Sequence, residues 1–148
     1  MSLDSNSSSA GNWLFEDSSF RFNTSDGLDL LYISEAGSSV TIRRSIFEGN
    51  AGNQVKNYRG PFTLENSIVI GNCGFFEGKP FTFNVDNCRA LGTAVAIGLV
   101  GGGQATVSNN TIASEGDCLV TAECSNGSCT SAAKVTLRNN IFQGATDF

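Results

Sequence analysis

Histidine is absent from this 148-residue chain, and tryptophan, methionine and proline number one, one and two. Without histidine, metal sites lose their commonest nitrogen ligand. Basic residues are also scarce: nine Lys and Arg stand against 14 Asp and Glu, for a formal charge of −5. No basic run is present, which argues against nonspecific nucleic-acid binding, since that needs clustered cations to displace counterions. By the same reasoning an anionic polymer would need a local basic groove or a bridging cation. No apolar stretch approaches the length of a membrane span, so no membrane partner is expected. The first residues, Met1-Ser2-Leu3-Asp4-Ser5-Asn6, carry neither a basic nor an apolar signal region. Residues 1–12 read as a flexible polar leader.

What is abundant points to strands and turns. Seventeen glycines and many small, polar and β-branched residues suit short strands joined by tight bends, not long helices. The length is enough for one domain with a sizeable core.

Cysteine bears on the compartment. Cys118, Cys124 and Cys129 flank the turn-rich Ser125-Asn126-Gly127-Ser128, where one disulfide would close a loop. That would suit a secreted or cell-surface protein. A metal site is the rival reading, weakened by the missing histidine and by spacing that is not a CxxC pair. Cys73 and Cys88 read as small buried hydrophobes.

Six nine-residue segments align without a gap, beginning at Phe15, Ile42, Leu64, Val85, Val107 and Leu137. Their first positions lie 27, 22, 21, 22 and 30 residues apart. A period of roughly 22 with irregular insertions is the signature of a solenoid with loops on one side. The first column is apolar throughout, and two residues earlier stand Trp13, Val40, Phe62, Phe83, Ala105 and Val135. That alternation is the pattern of a half-buried strand. The sixth column, Phe20, Phe47, Val69, Ala90, Ile112 and Phe142, makes a second inward row. Between them the third column reads Asp17, Arg44, Asn66, Asn87, Asn109 and Asn139. Asparagine tolerates the left-handed backbone of a sharp turn, and its amide can bond to the next repeat, so an asparagine ladder is expected here. Gly49, Gly71, Gly92 and Gly144 mark a second bend. Third strands are expected at 27–33, 54–58, 75–77, 95–100 and 119–123.

Three short strands per repeat, stacked in parallel, predict an all-β fold: a right-handed single-stranded parallel β-helix of about six coils of roughly 22 residues over 13–148. The motifs Val40-Thr-Ile-Arg-Arg-Ser-Ile-Phe-Glu-Gly-Asn50, Ala105-Thr-Val-Ser-Asn-Asn-Thr-Ile112 and Val135-Thr-Leu-Arg-Asn-Asn-Ile-Phe142 resemble the parallel β-helix proteins related to pectate lyases. The resemblance implies the fold across nearly all of 13–148. It is poor for function, because that coil carries lyases, hydrolases, epimerases, adhesins and tailspikes. Members of the class usually cover the N-terminal end with an amphipathic helix, which has no counterpart before Trp13. The expectation is a portion of a longer secreted protein, or coil ends that meet another copy.

The sharpest chemical signal is Asn23-Thr-Ser-Asp-Gly-Leu-Asp29, which resembles the Asn-Thr-Asp and Asp-Gly-Ile-Asp segments of the polygalacturonases. The resemblance implies carboxylate roles for Asp26 and Asp29 in hydrolysis. Strand alternation would place residues three apart on opposite faces unless a bulge intervenes. The family's Gly-His-Gly segment is missing. A lyase would need a base, Lys56 or Arg59, beside carboxylates such as Asp26, Asp29 and Glu77, with Ca²⁺ neutralising the uronate. The plainer account makes Asp26-Gly27 a turn and the charges a solvated ion-pair surface. Binding without catalysis needs fewer assumptions: the third strands offer Asn53, Gln54, Tyr58, Arg59, Phe75, Phe76 and Glu77 to sugar rings. Phe75 and Phe76 cannot both be buried in a regular strand. Two functions therefore stand side by side: binding or processing of an acidic polysaccharide, and a noncatalytic surface or structural repeat.

Overall fold

The computed structural model describes residues 11–31, 37–76, 92–116, 118–124 and 128–144. The strands are β1 (Asn12–Glu16), β2 (Ser19–Arg21), β3 (Leu28–Leu30), β4 (Ser39–Arg43), β5 (Ile46–Glu48), β6 (Val55–Asn57) and β7 (Phe62–Glu65). They continue as β8 (Ile68–Gly71), β9 (Val95–Gly98), β10 (Gln104–Ser108), β11 (Thr111–Ser114), β12 (Val120–Glu123), β13 (Lys134–Arg138) and β14 (Ile141–Gly144). All pairings are parallel, in three sheets ordered β1-β4-β7-β10-β13, β2-β5-β8-β11-β14 and β3-β6-β9-β12. Each run of three strands thus contributes one to every sheet and forms one rung, an arrangement compatible with a parallel β-helix. Among the described residues no helix is long and apolar enough to cross a membrane.

The apolar columns explain the stacking. Trp13, Val40, Phe62, Ala105 and Val135 follow one another in register through the first sheet, as do Phe15, Ile42, Leu64, Val107 and Leu137. Phe20, Phe47, Val69, Ile112 and Phe142 form the second sheet's inward row. The rings of Phe20 and Phe47 stack at 4.9 Å. In the third sheet Leu28, Val55, Val95 and Val120 face the same interior. Each such side chain taken from water contributes about 1.5–3 kcal/mol, and every inward position has a like neighbour above or below.

The corner between the first and second strands recurs with one geometry. Asp17, Arg44, Asn66, Asn109 and Asn139 all have positive φ, between 49° and 57°. The left-handed turn expected at this column is therefore present in every rung. The ladder expected on the same residues lies one position later. A residue in the left-handed corner projects outward, and the next points inward, so Ser18, Ser45, Ser67, Asn110 and Asn140 form the ladder. Ser18 N–H donates to Ser45 Oγ (3.2 Å), Ser45 N–H to Ser67 Oγ (3.1 Å), Ser67 N–H to Asn110 Oδ1 (2.8 Å) and Asn110 N–H to Asn140 Oδ1 (3.0 Å). Outside the corner Arg43 pairs with Glu16 at 2.8 Å, and Arg44 with both Asp17 (2.9 Å) and Glu16. Hydrogen bonds from Arg43 and Arg44 hold the Glu16 carboxyl below its usual range, and one from Arg44 does the same for Asp17.

Two expectations are corrected. β7 and β8 pair directly with β10 and β11, which leaves no place in these sheets for a rung from the segment beginning at Val85. The described stack therefore has five rungs, not six; that segment lies outside the described residues except for Gly92 and Thr93. Likewise the third strand of the third rung is β9, and Cys73–Phe76 is a 3₁₀ turn where a strand was expected. Glu77, Asn87 and Cys88 lie outside the described residues.

Candidate functional site

The outer face of the third sheet gathers most of the chemistry-bearing side chains. Along β3, β6, β9 and β12 the outward column reads Asp29, Lys56, Ala96 and Thr121. Small Ala96 and Thr121 leave Asp29 and Lys56 standing beside a shallow strip. Asp26 reaches the same cluster because the strand begins only at Leu28, so alternation does not extend back to it. The Asp26-Gly27 turn is pressed against the neighbouring rung: Gly27 N–H donates to Asn53 O at 2.9 Å. A Cβ on Gly27 would lie 2.5 Å from the Gln54 carbonyl oxygen, so only glycine permits this approach.

Lys56 Nζ lies 3.5 Å from Asp26 Oδ2 and 3.7 Å from Asp29 Oδ2. Asp26 Oδ1 accepts from both the backbone N–H (2.7 Å) and the Nδ2 (3.1 Å) of Asn53. The three residues singled out for catalysis are thus brought together, around one ammonium. Burial pushes the Asp29 carboxyl above its ordinary range; Lys56 opposes this, and the adjacent Asp26 adds to it by charge and hydrogen bonding. A raised pKa means that Asp29 favours folding most below its unfolded value and loses that contribution as pH rises through its folded value. Asp29→Asn is accordingly expected to raise the melting temperature at neutral pH and to flatten its fall with pH across the acid range. Thermal melts followed by circular dichroism from acid to neutral pH check both; a lower melting temperature at neutral pH contradicts the burial account.

Hydrolysis needs two carboxylates roughly 5–9.5 Å apart with the scissile bond between them. Here both converge on one cation and interact with each other. Elimination needs Lys56 to take a proton, yet its nitrogen already faces two carboxylates. Nor do these residues fit a Ca²⁺ ion, which seeks six to eight oxygens: a cation sits between the two aspartates, and among the described residues no group of three His, Cys, Asp or Glu could hold a metal. What the cluster does offer is a fixed set of hydrogen-bonding groups of both signs.

The other candidates separate clearly. Tyr58, in the bend after β6, donates its hydroxyl to Glu123 Oε2 at 2.8 Å, and this hydrogen bond raises the phenol's pKa. Arg59 follows, half-buried, its carbonyl accepting from Asn57 Nδ2 at 3.1 Å. Gln54 is fully buried and Phe76 only 6 % exposed, so neither presents itself to a ligand. Phe75 is exposed at the second bend, where its ring stacks on Phe22 at 4.1 Å. Glu123 escaped the sequence reading, although it closes the fourth third-sheet strand in register with Gly98, two rungs from Tyr58. A disulfide joins Cys124 and Cys129, and Cys118 is a free, exposed thiol.

No family model, curated protein or solved structure matches the chain.

Proposed function

We propose that the rungs wind into a right-handed parallel β-helix of the pectate-lyase-like class, and that the protein is secreted and binds acidic polysaccharide along the outer face of the third sheet. The hand follows from the strong bias of parallel crossovers between twisted strands. Secretion is supported by the Cys124–Cys129 disulfide, a bond that persists in oxidising compartments.

The observation that carries the binding reading is the convergence of half-buried Asp26, Asp29 and Lys56 on the outer face of one sheet, with Tyr58 and Glu123 one bend away. A uronate carboxylate would take the place of one aspartate on Lys56, while Asn53 and Tyr58 meet sugar hydroxyls. Protonating Asp29, whose pKa is raised, leaves Lys56 with Asp26 as its one remaining carboxylate, so binding should strengthen as pH falls through the Asp29 titration. Calorimetric titration with oligogalacturonate, and with a neutral galactan for comparison, tests this. The uronate oligomer should bind, Lys56→Met should weaken it by about tenfold, and neither reducing ends nor unsaturated uronate should accumulate. No heat with any polyuronate at any pH overturns the reading.

A second reading, a stiff noncatalytic repeat module, draws on the ladders and cross-rung ion pairs, which bind the rungs to one another. It requires no ligand on the third sheet.

A further inference from the structure

The two ends of the stack are matched to each other. At one end β13 and β14 are the outermost strands of their sheets, and at the other end β1 and β2 are. The exposed outer edge of β13 therefore presents backbone donors and acceptors in the pattern that β1 would accept as its next neighbour. The inward columns at that end are uncovered: Leu137 is 49 % and Phe142 43 % exposed. Their register partners at the opposite end are Phe15 and Phe20, in the same columns.

Charge follows the same register. One outward column of the first sheet reads Glu16, Arg43, Glu65, Ser108, Arg138. Within the chain Arg43 sits over Glu16 at 2.8 Å. Arg138 ends the column, and among the described residues its guanidinium has no ion-pair partner. A second copy placed one rung further along the axis would bring its Glu16 beside Arg138, in the register in which Glu65 follows Arg43 within the chain. Its Ser18 Oγ would accept from the Asn140 N–H, the step by which Ser45 Oγ accepts from Ser18. Its Phe20 would cover Phe142. The third sheet ends one rung earlier, at β12, and there a 430 Å³ cavity opens beside Leu119, Val120, Leu137 and Phe142.

From this agreement of apolar columns, ladder and charge we infer that copies of this chain stack head to tail, with β1 and β2 of one copy pairing in parallel on β13 and β14 of the next. Such a contact uses different surfaces on its two sides, so it does not close on itself and grows as an open filament.

Sedimentation velocity over a range of concentrations tests the inference on the 148-residue chain. The average mass should rise steadily past the dimer. Arg138→Glu, on an exposed position, should weaken association by about five- to tenfold with the melting temperature nearly unchanged. Leu137→Asp blocks one end but leaves the other intact. A small proportion mixed with wild-type chain should therefore shorten the wild-type assemblies. A monomer at every concentration overturns the inference. So does a species that stops at the dimer, or association that is indifferent to Arg138→Glu.

Discussion

Alanine in place of Gly98 is expected to cost about 3 kcal/mol and to lower the melting temperature by about 6–12 °C, the largest loss from adding a single methyl group among the described residues. A Cβ at this position would lie 2.7 Å from Tyr58 Cα and 2.9 Å from Tyr58 C, and would also strike the Tyr58 carbonyl oxygen. All three are main-chain atoms of the neighbouring rung. A side chain can rotate away from such a contact, but a backbone held on both sides by parallel ladders can move only by prising the rungs apart. Roughly 4.8 Å separates paired strands, and every sheet in the stack shares that spacing. The absence of a side chain at Gly98 also lets the Tyr58 hydroxyl cross the intervening rung to reach Glu123. Gly98→Ala should therefore lose that hydrogen bond as well, and the upward displacement of the Tyr58 pKa should shrink. Ultraviolet titration of the phenols and a thermal melt read the two effects separately. A melting temperature within a degree or so of the wild type would show that the third sheet yields more readily than this account allows.

Gln54→Leu is expected to be at least as damaging, at about 3–4 kcal/mol, although the volume changes little. Gln54 is fully buried in the bend leading to β6 and spends its whole amide on that bend. Its Oε1 accepts from the N–H (3.0 Å) and the Nδ2 (2.7 Å) of Asn50. Its Nε2 donates to the carbonyls of Asn50 (2.9 Å) and Gly52 (3.3 Å). Leucine would take these bonds from the Asn50 N–H and from the carbonyls of Asn50 and Gly52, while Asn50 Nδ2 keeps the Phe20 carbonyl at 3.0 Å. Each group orphaned in a dry interior costs about 1–3 kcal/mol before relaxation. The damage would spread, because Asn50 Oδ1 accepts from both the N–H and the Nδ2 of Asn23 in the rung below. Gln54→Glu distinguishes polarity from packing: it keeps the acceptor oxygen but puts a second acceptor where the donor nitrogen stood. Protonation restores one donor, so this variant should gain stability on mild acidification. Denaturant unfolding at two pH values checks the pair, and a leucine variant as stable as the wild type would remove the buried amide from the account.

The rung architecture was legible because its signals are periodic. Strand alternation and the left-handed corner each place a constrained residue type at a fixed offset, and five rungs repeat the same offsets. The mistaken sixth rung shows the limit of that reading. Residues 85–93 have an apolar first position and Asn at the corner, and their spacing from Leu64 resembles that of true rungs. What they lack is the ladder residue. In the five real rungs the position after the corner is Ser or Asn, with an oxygen to receive the neighbouring N–H, whereas residue 88 is cysteine. The discriminating chemistry therefore lay one column beyond the position given that role.

At the candidate site the sequence marked Asp26, Asp29 and Lys56 but not their mutual geometry. Alternation applied to 27–33 separates the two aspartates, and only the late start of β3, held by Gly27 against the Gln54 carbonyl, brings them to one cation. Gln54 was misjudged for a related reason: a polar residue at a strand start reads as exposed until its partners, four residues back at Asn50, are known. Contacts that leap two rungs, such as Tyr58 to Glu123, carry no local signal at all.

The connection from β8 to β9 has a consequence for chain entropy and for how such a protein can change over evolutionary time. Ladder partners in adjacent rungs are 27, 22 and 30 residues apart elsewhere, but 43 apart between Ser67 and Asn110. Loop-closure cost grows only logarithmically, so doubling a segment's length adds about 0.6 kcal/mol. The third rung thus accommodates an extra length of chain comparable to a whole rung, with no break in any of the three sheets. Insertions and deletions at this corner are expected to be nearly neutral for stability, unlike a single methyl at Gly98, a few residues further along. Variation among descendants of this gene should accumulate as length in the one place and be purged as substitution in the other.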